Sequence, residues 1–382
     1  MRRLACVWWA VGALAACEAP EDDAPSPAAS TGPVPALSAP GAVGTLALVR
    51  RPPSPPTVHA SAADACPPDV VCVPALPFTH RATTSVGRDA FDRYACAPEA
   101  DESGPEVVFR LDVIEAGLLA LEVGEMPPGV DVDVHLLDAL DPDACLDRGH
   151  WRAAAWVEPG RYWAVADTWV DEAGVEQAGG FTLTAALTTP ATLAAAGMDS
   201  AVAERGLRAF AVAWAHGDTD RFEYALTDFS LHSAEPRQWI VDLAVAAVLW
   251  NLHVAHGRGM EEPEDVPYAP AFSNVPETHL SSLGMMRSAE PYVGDYGPSF
   301  RLDGLEPGFN DNVRTRDIVM HPWEGSRPEY VGAHGFTQPT WGCPAIDDRI
   351  APQVVLALSG GALMWFWYPD AAWGAGSAYS PE

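Results

Sequence analysis

Between about Phe78 and Thr188, apolar and polar residues alternate with a period of two, in short runs separated by turn residues, over 106–113, 118–123, 130–137, 153–157, 162–166 and 181–187. A helix would need a period near 3.6, so this stretch is restricted to strands with one buried and one solvated face. Six such runs at regular spacing predict a β-sandwich.

The remainder divides around that block. Residues 18–77 are rich in Ala, Pro, Ser and acid with little periodicity, and are expected to be a disordered tether, with one apolar exception at 43–49 that is able to add a strand. After the sandwich, Asp199 and Ser200 cap an expected helix over 201–215, where Val202, Leu207, Phe210, Ala211 and Trp214 share a face. Strands are expected at 229–231, 238–243, 248–255, 300–302, 317–320 and 354–367, with a Glu-, Pro- and Asp-rich loop over 259–270. The expected fold is therefore mainly β: a sandwich at 78–189, followed by a β-rich second domain at 190–382 with few helices.

Residues 1–17 have the form of a secretion signal, with Arg2 and Arg3 before an apolar stretch that ends at Cys17. Export removes Cys6, and with Cys17 set aside at the end of the leader there remain Cys66, Cys72, Cys96, Cys145 and Cys343. We expect Cys66 to pair with Cys72 and Cys96 with Cys145, although four cysteines allow three connectivities. Cys343 is then the odd thiol. Lys and Arg total 22 against 52 Asp and Glu, a net charge of −30, which excludes nucleic-acid binding because phosphate neutralisation needs clustered cations. No metal or cofactor is expected. Asp131, Asp133 and Asp143 read as a solvated face rather than a Ca²⁺ site, and His253 and His256 lack a completing zinc ligand.

The odd thiol lies in Thr340-Trp341-Gly342-Cys343-Pro344-Ala345, 22 residues after His321 at the end of an apolar run. A free thiol needs a base or cation to become a nucleophile, so Cys343 and His321 are the candidate catalytic pair. Gly342 allows close backbone approach, and its amide and that of Cys343 are candidate oxyanion donors. Arg301, Asp303, Asn310, Arg314, His334 and Trp341 are candidate substrate contacts; Arg suits bidentate carboxylate binding and Trp suits stacking.

Three resemblances add to these readings. Leu14-Ala15-Ala16-Cys17 resembles a bacterial lipobox, which implies a lipidated Cys17, a membrane anchor and an envelope location facing the periplasm. Asp92-Arg93-Tyr94, the 131–137 run, Glu158-Pro159-Gly160-Arg161-Tyr162-Trp163 and 180–184 resemble the bacterial pre-peptidase C-terminal domain, which implies a non-catalytic accessory module. Asp228-Phe229-Ser230, Val254-Ala255-His256-Gly257, 281–284, 301–306, 308–312, Arg314, Arg316, 318–321, His334-Gly335, 341–345 and Tyr368-Pro369-Asp370 resemble, in order, the murein L,D-transpeptidase (YkuD-like) family, in the branch with Pro-Ala after the cysteine.

The last resemblance implies thioester chemistry on peptidoglycan stem peptides: Cys343 cuts before a D-residue, releases D-Ala, and passes the acyl group to an amine. An L,D-carboxypeptidase using water and an inactive stem-binding lipoprotein are the alternatives, and the sequence leaves oligomeric state open. Trp341 stands where many members have His, and Pro322 follows the base. A papain-like protease is disfavoured because the His precedes the Cys.

Overall fold

In the computed structural model, which describes residues 65–380, the alternating runs become nine strands in two layers. They are β1 (Val70–Cys72), β2 (Phe78–Thr83), β3 (Val107–Val113), β4 (Gly117–Gly124), β5 (Val132–Leu137), β6 (Cys145–Gly149), β7 (Arg152–Val157), β8 (Gly160–Thr168) and β9 (Gly180–Thr188). One sheet has the order β1-β3-β8-β5-β6 and the other β2-β9-β4-β7. Phe109, Leu111, Leu119, Leu121, Val134, Leu136 and Leu183 interdigitate between them with no exposed surface. The signal peptide, Cys17, the strand expected at 43–49 and most of the tether lie outside the described residues.

The end of the expected tether does not behave as one. Val70–Cys72 pairs in parallel with β3, and a disulfide joins Cys66 to Cys72. Backbone pairing and a covalent loop outweigh the Pro-rich composition there. A second disulfide joins Cys96 to Cys145. Asp133 is not on a solvated face: it is buried against Arg148 and His150, whose Nδ1 is 2.9 Å from its Oδ1.

Thr189 closes the sandwich and opens the next unit, its side chain accepting from the Thr192 amide to cap α1 (Pro190–Ala194). Asp199 then caps α2 (Ser200–Ala215) by accepting from the amides of Ala201 and Val202. One side of α2 rests on the sandwich: Trp214 Nε1 donates to Asp147 at 2.7 Å, and the Arg208 guanidinium lies 4.1 Å from the Trp156 ring. Leu118, Ala120 and Ala154 of the sandwich thereby join the same apolar cluster as Phe210, Leu226 and Trp365.

The second unit is a single eight-stranded sheet: β10 (Glu223–Asp228), β11 (Gln238–Asp242), β12 (Ala247–Leu252), β13 (Gly284–Gly294), β14 (Gly297–Gly304), β15 (Val319–Pro322), β16 (Ala345–Ile346) and β17 (Leu363–Trp367), in the order β12-β11-β10-β17-β13-β14-β15-β16. The helices α3 (Pro328–His334), α4 (Ala351–Leu358) and α5 (Ala371–Gly376) complete it.

Two strand expectations fail for local reasons. The run 354–367 is half helix, because Ala351, Val354, Val355 and Leu358 bury one face at helical spacing before Gly360 and Gly361 break it with φ of 82° and 115°. The strand expected at 229–231 ends at Asp228, whose carboxylate accepts from the Ser230 amide and hydroxyl in a turn.

Candidate active site

Strand register puts the expected pair at one edge of the large sheet. β15 and β16 run in parallel with His321 opposite Ala345, so the imidazole belongs to the strand beside the turn carrying Cys343, two residues before Ala345. That turn is clamped by its neighbours. The Thr340 amide donates to the His256 carbonyl at 2.9 Å, the Arg258 amide donates to the Thr340 carbonyl at 2.9 Å, and Ser281 Oγ donates to the Gly342 carbonyl at 3.1 Å.

Gly342 has φ +117°, and a Cβ there would meet Ile318 Cδ1 and the Leu280 carbonyl oxygen at 2.7 Å, so no other residue fits without displacement. Its amide, a candidate oxyanion donor, instead donates to Thr340 Oγ1 at 3.2 Å. The Cys343 amide has no hydrogen-bond partner among the described residues and is the donor left available beside the sulfur.

Cys343 is the free cysteine among the described residues and keeps part of its surface. Its Sγ lies 3.5 Å from the Val319 amide, which donates to it, and 3.6 Å from the Asp317 carbonyl, which accepts its proton. Asp317 has φ +51°, a left-handed conformation costly for a residue with a Cβ, immediately beside the thiol. Crowding by protein atoms pushes the Cys343 thiol up to about 11; the Val319 amide opposes this, Asp317 adds to it, and Arg316 opposes it. His321 is buried and its imidazole is held below the usual value by burial, partly offset by Nδ1 donating to the Pro322 carbonyl at 2.8 Å. A carbonyl only accepts, so the proton sits on Nδ1 and Nε2 carries the lone pair. The two groups are not hydrogen-bonded to each other here. Both rest neutral: a thiol and a base.

The remaining expected contacts separate. Trp341 is 60% exposed and lies at the lip of the site. Arg301 pairs with Asp317 at 2.9 Å and lies over the Tyr292 ring, while Asp303 pairs with Arg314, which also holds Glu290 through two bonds at 2.8 and 3.0 Å. These guanidiniums are spent on neighbouring carboxylates of the chain, since the sheet surface brings acids and bases face to face. Asn310 is fully buried; Nδ2 donates to the Leu283 and Met285 carbonyls and Oδ1 accepts from the Glu306 amide, so it pins a loop instead of meeting a ligand. His334 ends α3 with Nδ1 2.9 Å from the Tyr330 carbonyl and its ring stacked on Tyr330, away from the thiol. Arg314 and Arg316 belong to a turn.

Sequence reasoning missed Tyr296 and undervalued Arg316. Tyr296, between Gly294 and Gly297 at the tip joining β13 to β14, stacks on His321 with centroids 4.9 Å apart, and Trp323 meets the same imidazole edge-on. A Gly-Asp-Tyr-Gly turn between alternating runs was the available signal. Arg316 is tied to the Ser273 and Leu280 carbonyls at 2.5 and 2.6 Å and has no carboxylate partner among the described residues, leaving its charge beside the thiol.

For metals, Asp131, Asp133 and His150 bring donor atoms together, as do Cys96, His135 and Cys145, but the first set pairs internally and with Arg148, and the sulfurs of the second form a disulfide.

Residues 194–367 match the family described as the L,D-transpeptidase catalytic domain. Among solved structures, the chain is similar to an L,D-transpeptidase from Mycobacterium smegmatis at 11% identity, covering 67% of this chain and 93% of that one with a TM-score of 0.24. A second, from Mycobacterium tuberculosis H37Rv, shares 12% identity and covers 68% and 95% with a TM-score of 0.22. The pre-peptidase C-terminal domain of a Bacillus anthracis collagenase shares 16% identity and covers 32% and 99% with a TM-score of 0.22. No curated protein matches. At those scores, the family match over 194–367 is what carries the assignment.

Proposed function

From the match of residues 194–367 to the L,D-transpeptidase catalytic domain we propose that this enzyme cross-links peptidoglycan stems by acyl transfer through a thioester on Cys343. The observation that carries the reading is the pairing of β15 with β16, which sets an imidazole with a free Nε2 on the strand beside an unpaired thiol. Because burial favours the neutral form of both groups, His321 acts as a general base at the moment of attack, not as the imidazolium of a standing ion pair.

In the first step, the S–H proton leaves the Asp317 carbonyl for Nε2 of His321 as Sγ attacks the carbonyl carbon of the third stem residue. The Cys343 amide stabilises the oxyanion. Collapse breaks the C–N bond, the imidazolium returns its proton to the leaving D-residue amine, and a thioester remains. An acceptor amine then attacks the thioester, His321 takes its proton, and the thiol is restored.

The experiment is intact-mass measurement after exposure to a disaccharide-tetrapeptide: an acyl adduct on Cys343 with loss of D-Ala, followed by dimer, is expected, and neither Cys343→Ala nor His321→Ala forms the adduct. Tripeptide without dimer would instead assign water as acceptor, and an unmodified thiol would leave only a stem-binding role.

The anchor belongs to the same proposal. A leader ending in Leu14-Ala15-Ala16-Cys17 supports lipidation of Cys17 and a place at the cell envelope, facing the periplasm. Mass spectrometry of the mature N-terminal peptide is expected to find acyl chains on Cys17; an unmodified peptide rejects it.

A further inference from the structure

In a chain with 52 Asp and Glu, Arg316 has no carboxylate partner among the described residues, whereas Arg301, Arg314, Arg327 and Arg349 each hold one within 2.9 Å. Its donors go to neutral oxygens instead. Nη1 donates to the Ser273 carbonyl at 2.5 Å and to Ser282 Oγ at 2.7 Å, and Nη2 to the Leu280 carbonyl at 2.6 Å and to Thr278 Oγ1 at 3.3 Å. Neutral acceptors orient a guanidinium without cancelling its charge, so this half-buried cation keeps its field where water screens it poorly.

The bonds of Arg316 lead to the nucleophile from two sides. Asp317 follows it in the chain and accepts from Cys343 Sγ at 3.6 Å through its carbonyl, and Val319 donates its amide to the same sulfur at 3.5 Å. On the other side, Ser281 follows Leu280; its hydroxyl donates to the Gly342 carbonyl at 3.1 Å and accepts from the Gly257 amide at 3.0 Å. The Leu280 carbonyl oxygen itself lies 2.7 Å from where a Gly342 Cβ would stand. Contacts therefore run in a closed circuit, from the guanidinium through Leu280, Ser281 and Gly342 to Cys343, and from Sγ back through Asp317. We propose that Arg316 is a positioning residue of the acyl transfer: its fork holds the nucleophile turn against the peptide groups that orient Sγ, and its uncancelled charge favours the sulfur as the proton departs. This rests on the acyl-transfer reading above, in which His321 takes that proton, and supplies the fixed cation that reading lacks. Burial pushes the thiol up and Arg316 opposes it, while the Asp317 carboxylate that would counter Arg316 is held by Arg301 at 2.9 Å. Both terminal nitrogens are occupied within the chain, so the effect belongs to kcat and not to KM.

The test takes two readouts on the same variants, alkylation of Cys343 by iodoacetamide at pH about 8 and acylation of Cys343 by a disaccharide-tetrapeptide, both followed by mass spectrometry. Arg316→Gln removes the charge, Arg316→Lys keeps the charge without the fork, and Ser282→Ala removes one acceptor of the fork and leaves the charge. Arg316→Gln is expected to slow alkylation about threefold, the net of about tenfold less thiolate and a more nucleophilic sulfur, and to lower kcat for acylation at least about tenfold with KM within about twofold. Arg316→Lys is expected to alkylate within about twofold of the unaltered protein and to recover part of kcat, and Ser282→Ala to lower kcat with alkylation unchanged. Equal slowing of alkylation by Lys and Gln, an unchanged kcat in Arg316→Gln, or a loss carried by KM overturns the proposal. Should Arg316→Gln fail to fold, the other two decide: slowed alkylation in either, or an unchanged kcat in both, overturns it as well. An unaltered protein that alkylates but forms no acyl adduct removes the functional reading and this role with it, whereas a normal adduct with the same alkylation rate in every variant removes the role of Arg316 alone.

Discussion

At Cys343 and His321, burial moves two groups in opposite directions, and this fixes how the rate should depend on pH. His321 works as a base only when unprotonated, and its value is depressed below the ordinary imidazole range, so the acid limb of Cys343 acylation is expected below pH about 6.5. The thiol, pushed up to about 11, stays protonated through neutral pH, so no second limb is expected near the free-thiol value of about 8.5. Rates of adduct formation measured across pH check this; an acid limb near pH about 4 with a fall at alkaline pH, as a lowered thiol and a raised imidazole would give, would mean a standing ion pair. Gly342 makes a second prediction. Gly342→Ala adds a Cβ that meets Ile318 and Leu280 at 2.7 Å on a backbone with φ +117°, and is expected to destabilise the fold by roughly 1–3 kcal/mol and to slow acylation at least about tenfold. Thermal melts and adduct kinetics on the same variant measure both. Cys343 was legible in the sequence because cysteine arithmetic left it over, and His321 because it closes an apolar run. Asn310 and Arg314 are already partnered within the chain for a shared reason: polar residues in a glycine-rich loop look available until the carbonyls and carboxylates that satisfy them are brought in by distant strands.

Elements came out of the sequence wherever one face was buried. The period-two runs of the sandwich were recognisable because its two sheets bury alternate residues, and α2 because its apolar face and Asp199 cap agree. α4 was lost because Val354, Val355 and Leu358 run on toward the largely buried β17 with only Ser359, Gly360, Gly361 and Ala362 between, and near-continuous apolarity hides the period. β6 was missed because its five residues, Cys145–Gly149, carry Asp and Arg that pair inside the domain. That interior has a measurable consequence. Burial and the nearby Asp167 push Glu102 up to about 8 against the pull of Arg148, and burial, opposed by the Tyr94 hydroxyl, pushes Asp167 up to about 8. Both carboxyls hold protons more tightly folded than unfolded, so their contribution is complete below pH about 4, erodes as pH rises, and is lost above about 8. The melting temperature is expected to fall by about 5 °C or more between pH about 5 and about 9; a flat or rising profile would contradict the buried-acid account. Replacing Asp167 with Asn should flatten the decline.

For the molecule as a whole, α2 joins what composition divides. The sequence places a domain boundary near Thr189, and the chain does change from sandwich to catalytic sheet there, but the apolar cluster does not stop at it. Leu118, Ala120 and Ala154 of the sandwich pack in the cluster that contains Phe210, Leu226 and Trp365, and Trp214 reaches across to Asp147. Arg152 adds a bond to the Asp220 carbonyl at 2.9 Å and lies over the Phe222 ring. A catalytic domain cut free at residue 190 would expose the α2 surface that holds Arg208, Ala211, Val212 and Trp214, and would leave that indole N–H without its carboxylate. Residues 65–380 are therefore expected to melt in a single transition, with the 190–380 fragment melting lower and self-associating through the uncovered helix. Trp214→Phe tests the same contact without truncation. It keeps the ring stacked on Phe222 but removes one of the two donors to Asp147 Oδ2, leaving the Ala154 amide at 2.7 Å, and should cost about 1 kcal/mol. Calorimetry decides: two independent transitions in the long chain, with the later one unchanged in the fragment and in Trp214→Phe, would mean that the accessory domain is a passenger and not part of the scaffold that holds β15 and β16 in register.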